Sequence, residues 1–133
     1  MSDYNFSTPI QIRMSDLDSF GHVNNGVQCN YFDVGRGMFF EHALQRPVDW
    51  LTLDLVLVHV ELDFLDSITM DDQIVCQCKV DGFGTKSMKM TQQLIDLKTQ
   101  KVKTVSHCVI CGFDRLTHKS IPIREEYKEK FKC

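Results

Sequence analysis

One long helical run, Asn25 to Leu44, stands ahead of four consecutive alternating strands, and this order constrains the chain more than any other feature. Val27, Tyr31, Val34 and Met38 recur at helical spacing, and Phe32 and Phe39 widen that apolar stripe. Gly35 and Gly37 interrupt it, each costing roughly 1 kcal/mol against alanine in a helix. The reading we favour is that the helix lies hard against a sheet and needs small residues at the contact.

The strands follow in sequence. Ser7 to Met14 alternates briefly before the helix. After it, Leu53 to Leu65 places Val56, Val58, Val60, Leu62 and Phe64 on one face, with His59, Glu61 and Asp63 on the other. Ile74, Cys76, Cys78 and Val80 line the next strand. Lys86 to Leu97 is a third, with a bulge expected around Gln92-Gln93, and Val102 to Phe113 returns. Pro122 leads into a short closing helix, Arg124 to Phe131. Short turns at Asp71-Asp72, Gly82–Thr85 and Lys98–Lys101 imply antiparallel neighbours. The expected architecture is a single α+β domain over residues 1–133, a sheet curled on one helix. The strand faces hold more apolar residues than one helix can cover, so association through the sheet, as a homodimer or homotetramer, is expected.

At 133 residues the chain can bury roughly 65–70% of its unfolded surface and needs no covalent staples. A net charge of −3 with no basic face argues against a nucleic-acid partner. No apolar run approaches the ~20 residues of a membrane helix. The start, Met1-Ser2-Asp3-Tyr4-Asn5, lacks the basic and apolar regions of a signal peptide. A cytoplasmic protein with no membrane partner is therefore expected. Cys76/Cys78 and Cys108/Cys111 have spacings that suggest zinc, but residues three apart on a strand point to opposite faces. The cysteines are read as buried free thiols, and neither a metal site nor a cofactor is expected. His42, His59 and His107 are read as structural, and His118 as an exposed turn residue.

The segment Asp16-Leu17-Asp18-Ser19-Phe20-Gly21-His22-Val23-Asn24-Asn25 concentrates two carboxylates, an imidazole and two amides just before a helix N-terminus. The first turn of a helix presents unpaired N–H groups and about half a positive charge. Such a terminus can hold a developing oxyanion. A carboxylate beside it can attack a polarised carbonyl or deprotonate water. The bland alternative is a capping loop, in which Asn24 caps and the two aspartates offset the dipole.

The stretch Arg13 to Asn25 resembles the signature of the 4-hydroxybenzoyl-CoA thioesterase family. The likeness continues through Tyr31-Phe32-Asp33, Arg36 and Phe39-Phe40, the Asp71-Asp72 turn, and Phe113-Asp114 with Ile121-Pro122. The resemblance implies the hotdog fold, in which an antiparallel sheet wraps a central helix. It implies an acyl-CoA thioesterase with no cofactor and an active site at a subunit interface. The family's catalytic carboxylate falls on Asp18 and its oxyanion donor on the Asn25 or Gly26 amide. The acyl-carrier-protein thioesterases of plants are similar here too. Their catalytic Asp and His match Asp18 and His22, whereas their catalytic asparagine falls on Phe20. The 4-hydroxybenzoyl enzyme has an aromatic residue where this chain has Asn25. In this reading His22 orients water or shuttles a proton, Asn24 caps the helix beside the substrate, and Lys86 and Ser87 meet the coenzyme. An acyl-carrier-protein thioesterase, a hotdog hydratase and a non-catalytic acyl-CoA binding protein are the alternatives.

Overall fold

The helix forms as α1, Asn25–Leu44, in a computed structural model that describes residues 4–132. Asn24 starts it: its Oδ1 accepts the Gly26 N–H at 2.7 Å and the Val27 N–H at 3.4 Å. Gln45, with φ at +55°, ends it in the left-handed region. Ahead of α1 lie a four-residue strand β1, Phe6–Pro9, and a 3-10 turn, Met14–Asp16. After it come β2, Leu55–Phe64; β3, Ile74–Phe83; β4, Ser87–Asp96; β5, Lys101–Asp114; β6, Lys119–Ile121; and the helix α2, Glu125–Lys130.

The sheet order is β1-β3-β4-β5-β2, all antiparallel, with β6 extending β5. The strands that flank α1 in sequence, β1 and β2, therefore sit on opposite edges, and the chain crosses the whole sheet through α1. The helix covers one face. Toward it point Cys76 and Cys78 from β3, Met88, Met90, Gln92 and Leu94 from β4, and Thr104, Ser106, Cys108 and Ile110 from β5, all buried. At the closest approach a Cβ on Gly35 would lie 2.3 Å from Cys76 Sγ. The expected need for a small residue is met there. Gly37 instead faces the Trp50 ring, at 3.2 Å from a built Cβ, so its neighbour is a loop. α2 closes the far end, where Phe131 stacks on Tyr127 and Phe40 with centroids 5.2 and 5.1 Å apart.

Several expectations need correction. The first strand stops at Pro9, although the Ile10 N–H still reaches Ile74 O at 3.0 Å. The buried face of α1 runs through Gln28, Tyr31, Phe32, Gly35, Arg36 and Phe39, while Val34 and Met38 are exposed. The close contact at Gly35 selects this face and turns Val34 and Met38 aside. β2 does not keep one apolar face. Its register slips between Leu57 and His59, so Val56 opposes Cys111 on the outer face and Val60 opposes Cys108 on the inner one. Val56, Val58, Val60 and Phe64 all remain exposed on this edge strand. Gln92 and Gln93 pair regularly with Cys78 and Gln77. The slip lies further on, between Leu94 and Ile95, and leaves Lys103 of β5 without a partner on β4. β6 carries no signal in the sequence; it pairs with Gly112, where any Cβ would meet Ile121 O at 2.3 Å. The five described cysteines are free, but Cys29 is exposed and Cys111 half-buried; Cys133 lies outside the described residues.

Gly35→Ala should destabilise the fold by about 1–3 kcal/mol through overpacking against Cys76. A lowered urea midpoint would report it, and Gly35→Ala/Cys76→Ala should recover part of the loss.

Candidate active site

The polar segment before α1 is a small closed loop. Leu17 bridges Val23, the Asp18 N–H donates to His22 O at 2.8 Å, and the Gly21 N–H returns to Asp18 O at 3.1 Å. Gly21 takes φ +76°, a conformation side chains rarely adopt. The loop is pinned to the body where the Val23 N–H reaches Ile68 O (2.8 Å) and the Asn24 N–H reaches Asp16 O (2.9 Å).

Its two aspartates have opposite environments. Asp16 points inward and is 3% exposed. Its carboxylate accepts the Tyr31 hydroxyl, the Arg13 N–H at 3.0 Å and the Arg13 guanidinium at 3.1 Å. Burial pushes this carboxyl up, but the bonds from Tyr31 and Arg13 outweigh it and hold it below the ordinary value. Asp16 is thus spent on holding the loop to the helix. Asp18 is exposed and lines a cavity of about 230 Å³ with His22, Val23, Asn25, Gln28, Phe64, Leu65, Asp66 and Ser67. Its Oδ1 accepts the Phe20 N–H at 2.9 Å and the His22 N–H at 3.2 Å. Oδ2 has no partner among the described residues. The carboxylate is fixed by one oxygen and presented by the other.

The first-turn amides of α1 divide the same way. The Gly26 and Val27 N–H groups go to the Asn24 side chain, and the Gln28 N–H goes to Asn24 O at 3.2 Å. The Asn25 N–H alone among these four has no acceptor among the described residues. Asp18, His22 and Asn25 therefore share one cavity, while Gly26 has its amide occupied and Asn24 acts as the cap.

Lys86 and Ser87 are not brought to this cavity within one chain. Ser87 pairs with Cys111, whereas the cavity's Gln28 is bonded from Thr104, seven residues back along β5. At ~3.3 Å per residue that is roughly 23 Å away. A second cavity, of about 300 Å³, lies between α1 and β2, lined by Asp33, Arg36, Phe40, Trp50, Leu55 and Leu57 among others. Arg36 is buried there, donating to Gln92 Oε1 at 2.9 Å and paired with Asp33. His42, His59, His107 and His118 are exposed and line neither of these two cavities. No group of three or more His, Cys, Asp or Glu side chains is arranged to hold a metal among the described residues. No helix there is long and apolar enough to cross a membrane. Sequence reasoning missed Asp66, the second carboxylate of the cavity. Its only signal is its place at the end of β2, opposite the loop.

An antiparallel sheet wrapped on one central helix, with the polar loop feeding the helix N-terminus, defines the hotdog class. The chain belongs to the thioesterase-like superfamily, whose profile matches residues 12–131. The chemistry this assigns is thioester hydrolysis. No curated protein matches the chain. Among solved structures, a thioesterase from Thermus thermophilus, complexed with coenzyme A and Zn, superposes with a TM-score of 0.86 at 23% identity, covering 98% of this chain and 99% of that one. A thioesterase-superfamily protein from Jannaschia gives 0.84 at 23% identity, covering 98% and 83%. A 1,4-dihydroxy-2-naphthoyl-CoA thioesterase from Synechocystis gives 0.84 at 12% identity, covering 95% and 94%.

The depressed Asp16 carboxyl adds stability that is present above its unfolded pKa, ~3.9, and is lost as pH falls through the lower folded value. Asp66, Asp96, Asp114 and Glu126 are also held down. Asp16→Asn should therefore reduce, not abolish, the fall in urea midpoint below about pH 4. An unchanged acid slope would contradict the role given to Asp16.

Proposed function

We propose that this chain hydrolyses acyl-CoA thioesters to the free acid and CoA, with Asp18 as nucleophile or general base and the Asn25 amide as oxyanion donor. The observation that carries this reading is that one cavity is lined by Asp18, whose Oδ2 has no partner among the described residues, and by Asn25, the one first-turn residue whose N–H has no acceptor among them. In the general-base route Asp18 takes a proton from water, and the oxygen bonds to the carbonyl carbon. The negative charge moves to the carbonyl oxygen, against the Asn25 N–H. Collapse breaks the C–S bond, and the CoA thiolate leaves and takes up the proton. In the nucleophilic route Asp18 adds to the carbonyl carbon, the C–S bond breaks and the CoA thiolate leaves, and water then cleaves the acyl anhydride to the free acid and the Asp18 carboxylate. The His22 ring has no hydrogen-bond partner among the described residues, which leaves it available to orient that water or pass its proton. The coenzyme A bound by the Thermus relative supports a CoA ester over other thioesters.

The working unit we propose is a homodimer or homotetramer built on the β2 edge. Antiparallel pairing of β2 with its copy would set the Phe64 end of one subunit, beside the Asp18 cavity, against the Leu55–Leu57 end of the other, beside the Arg36 cavity. The acyl group would then find apolar walls on both subunits. Lys86 and Ser87 would reach the coenzyme only from another subunit. A cytoplasmic location fits the free state of all five described cysteines.

A panel of acyl-CoA and acyl-carrier-protein substrates, scored by thiol release, tests the activity. Asp18→Asn should lower kcat/KM by about 10²–10⁴-fold with the melting temperature preserved. Full activity in that variant would remove Asp18 from the scheme. Val58→Lys, at an exposed edge position, should shift the oligomer toward monomer in sedimentation and reduce turnover at low protein concentration.

A further inference from the structure

The Asp18 cavity holds a second carboxylate, Asp66, and two carboxylates in one site each favour protonation of the other. A cavity of about 230 Å³ is roughly 8 Å across if taken as a sphere, which is about one Debye length at physiological salt. What lies behind Asp66 decides whether that opposition is felt. Lys103 is only 7% exposed. Its ammonium reaches Asp66 Oδ2 at 3.1 Å, Asp72 Oδ2 at 3.2 Å and Ser67 O at 2.9 Å, which accounts for its three donors. Its carbonyl accepts both the Leu65 N–H, at 2.9 Å, and the Asp66 N–H, at 3.0 Å. Lys101 meets the same Asp66 oxygen from the solvent side at 3.1 Å. The register slip that frees Lys103 from β4 lets its side chain turn onto the cavity wall.

We propose that Lys103, assisted by Lys101, is a positioning residue that neutralises Asp66 and holds the Phe64–Ser67 wall, so that Asp18 meets no opposing charge in its cavity. This rests on the reading of Asp18 as the reacting carboxylate. The bonds from Lys101 and Lys103 hold the Asp66 carboxyl at about 2, against the pull of burial. The other charged groups are accounted for. His22 lies on the loop of Asp18, Asp72 is taken by Lys103, Asp16 is turned inward onto Arg13 and Tyr31, and the first turn of α1 has no ionisable side chain.

The test is the pH profile of kcat/KM for acyl-CoA hydrolysis. Lys103→Met should move the acid limb up by about 0.5–1 pH unit. Lys101→Met, at a 62% exposed side chain, should move it the same way by less. Lys103→Met/Asp66→Asn should return the limb toward its original position even if the melting temperature stays low, because Asp72, also freed of Lys103, does not line the cavity, and Lys103→Arg should retain it. An immobile limb in both lysine variants, with activity falling only as stability falls, overturns the inference. So does a limb that moves but is not restored by Asp66→Asn. The Asp18→Asn control separates the two layers. If it is inactive while the limb stays still, only the role of Lys103 falls; if it is fully active, both readings fall.

Discussion

The contact of Gly35 with Cys76 sets the distance between α1 and the sheet, and the site depends on that distance. With a side chain at Gly35 the helix would lift, and Gln28 and Gln92 would lose their reach across the layer. The Gln92 amide donates to Phe32 O at 3.0 Å, and Thr104 donates to Gln28, so the inner polar groups of the sheet are satisfied by the helix itself. Ser106 is the exception, its buried hydroxyl lacking a partner among the described residues. A helix held this closely delivers its N-terminus to one end of the β2–β3 connection, and the polar loop has only to close over it.

Much of this is legible in the chain. The helix is readable because Asn24 marks its start and apolar residues persist for five turns. The loop is readable because aspartate, histidine and asparagine do not cluster before a helix without a capping or chemical reason. The family resemblance then chooses Asp18 over Asp16, and the environments support that choice: one carboxylate is used up by Tyr31 and Arg13, and the other is open.

The rest is hidden for identifiable reasons. Which helix face is buried depends on where backbones can approach, so Val34 and Met38, apolar but offset from Gly35, fall outside the face their spacing suggests. Register slips in β2 and β5 leave no compositional mark, so neither the exposed Val58 nor the inward-turning Lys103 can be read from alternation. β6 has three residues, too few for any periodicity. The free amide narrows to Asn25 only by hydrogen-bond accounting, because the sequence leaves open which neighbouring N–H Asn24 caps.

The strand order carries a consequence for how the chain reaches this state. β3, β4 and β5 form a meander joined by tight turns, so their pairings are local in sequence and cheap in loop entropy. β1, β2 and α1 pack on the surface that the meander makes. Pulse-labelled hydrogen exchange during refolding should then protect β4 and β5 amides first, with β2, tied only to β5, joining late. The polar loop ahead of α1, suspended between the last elements to arrive, would be assembled at the end of folding.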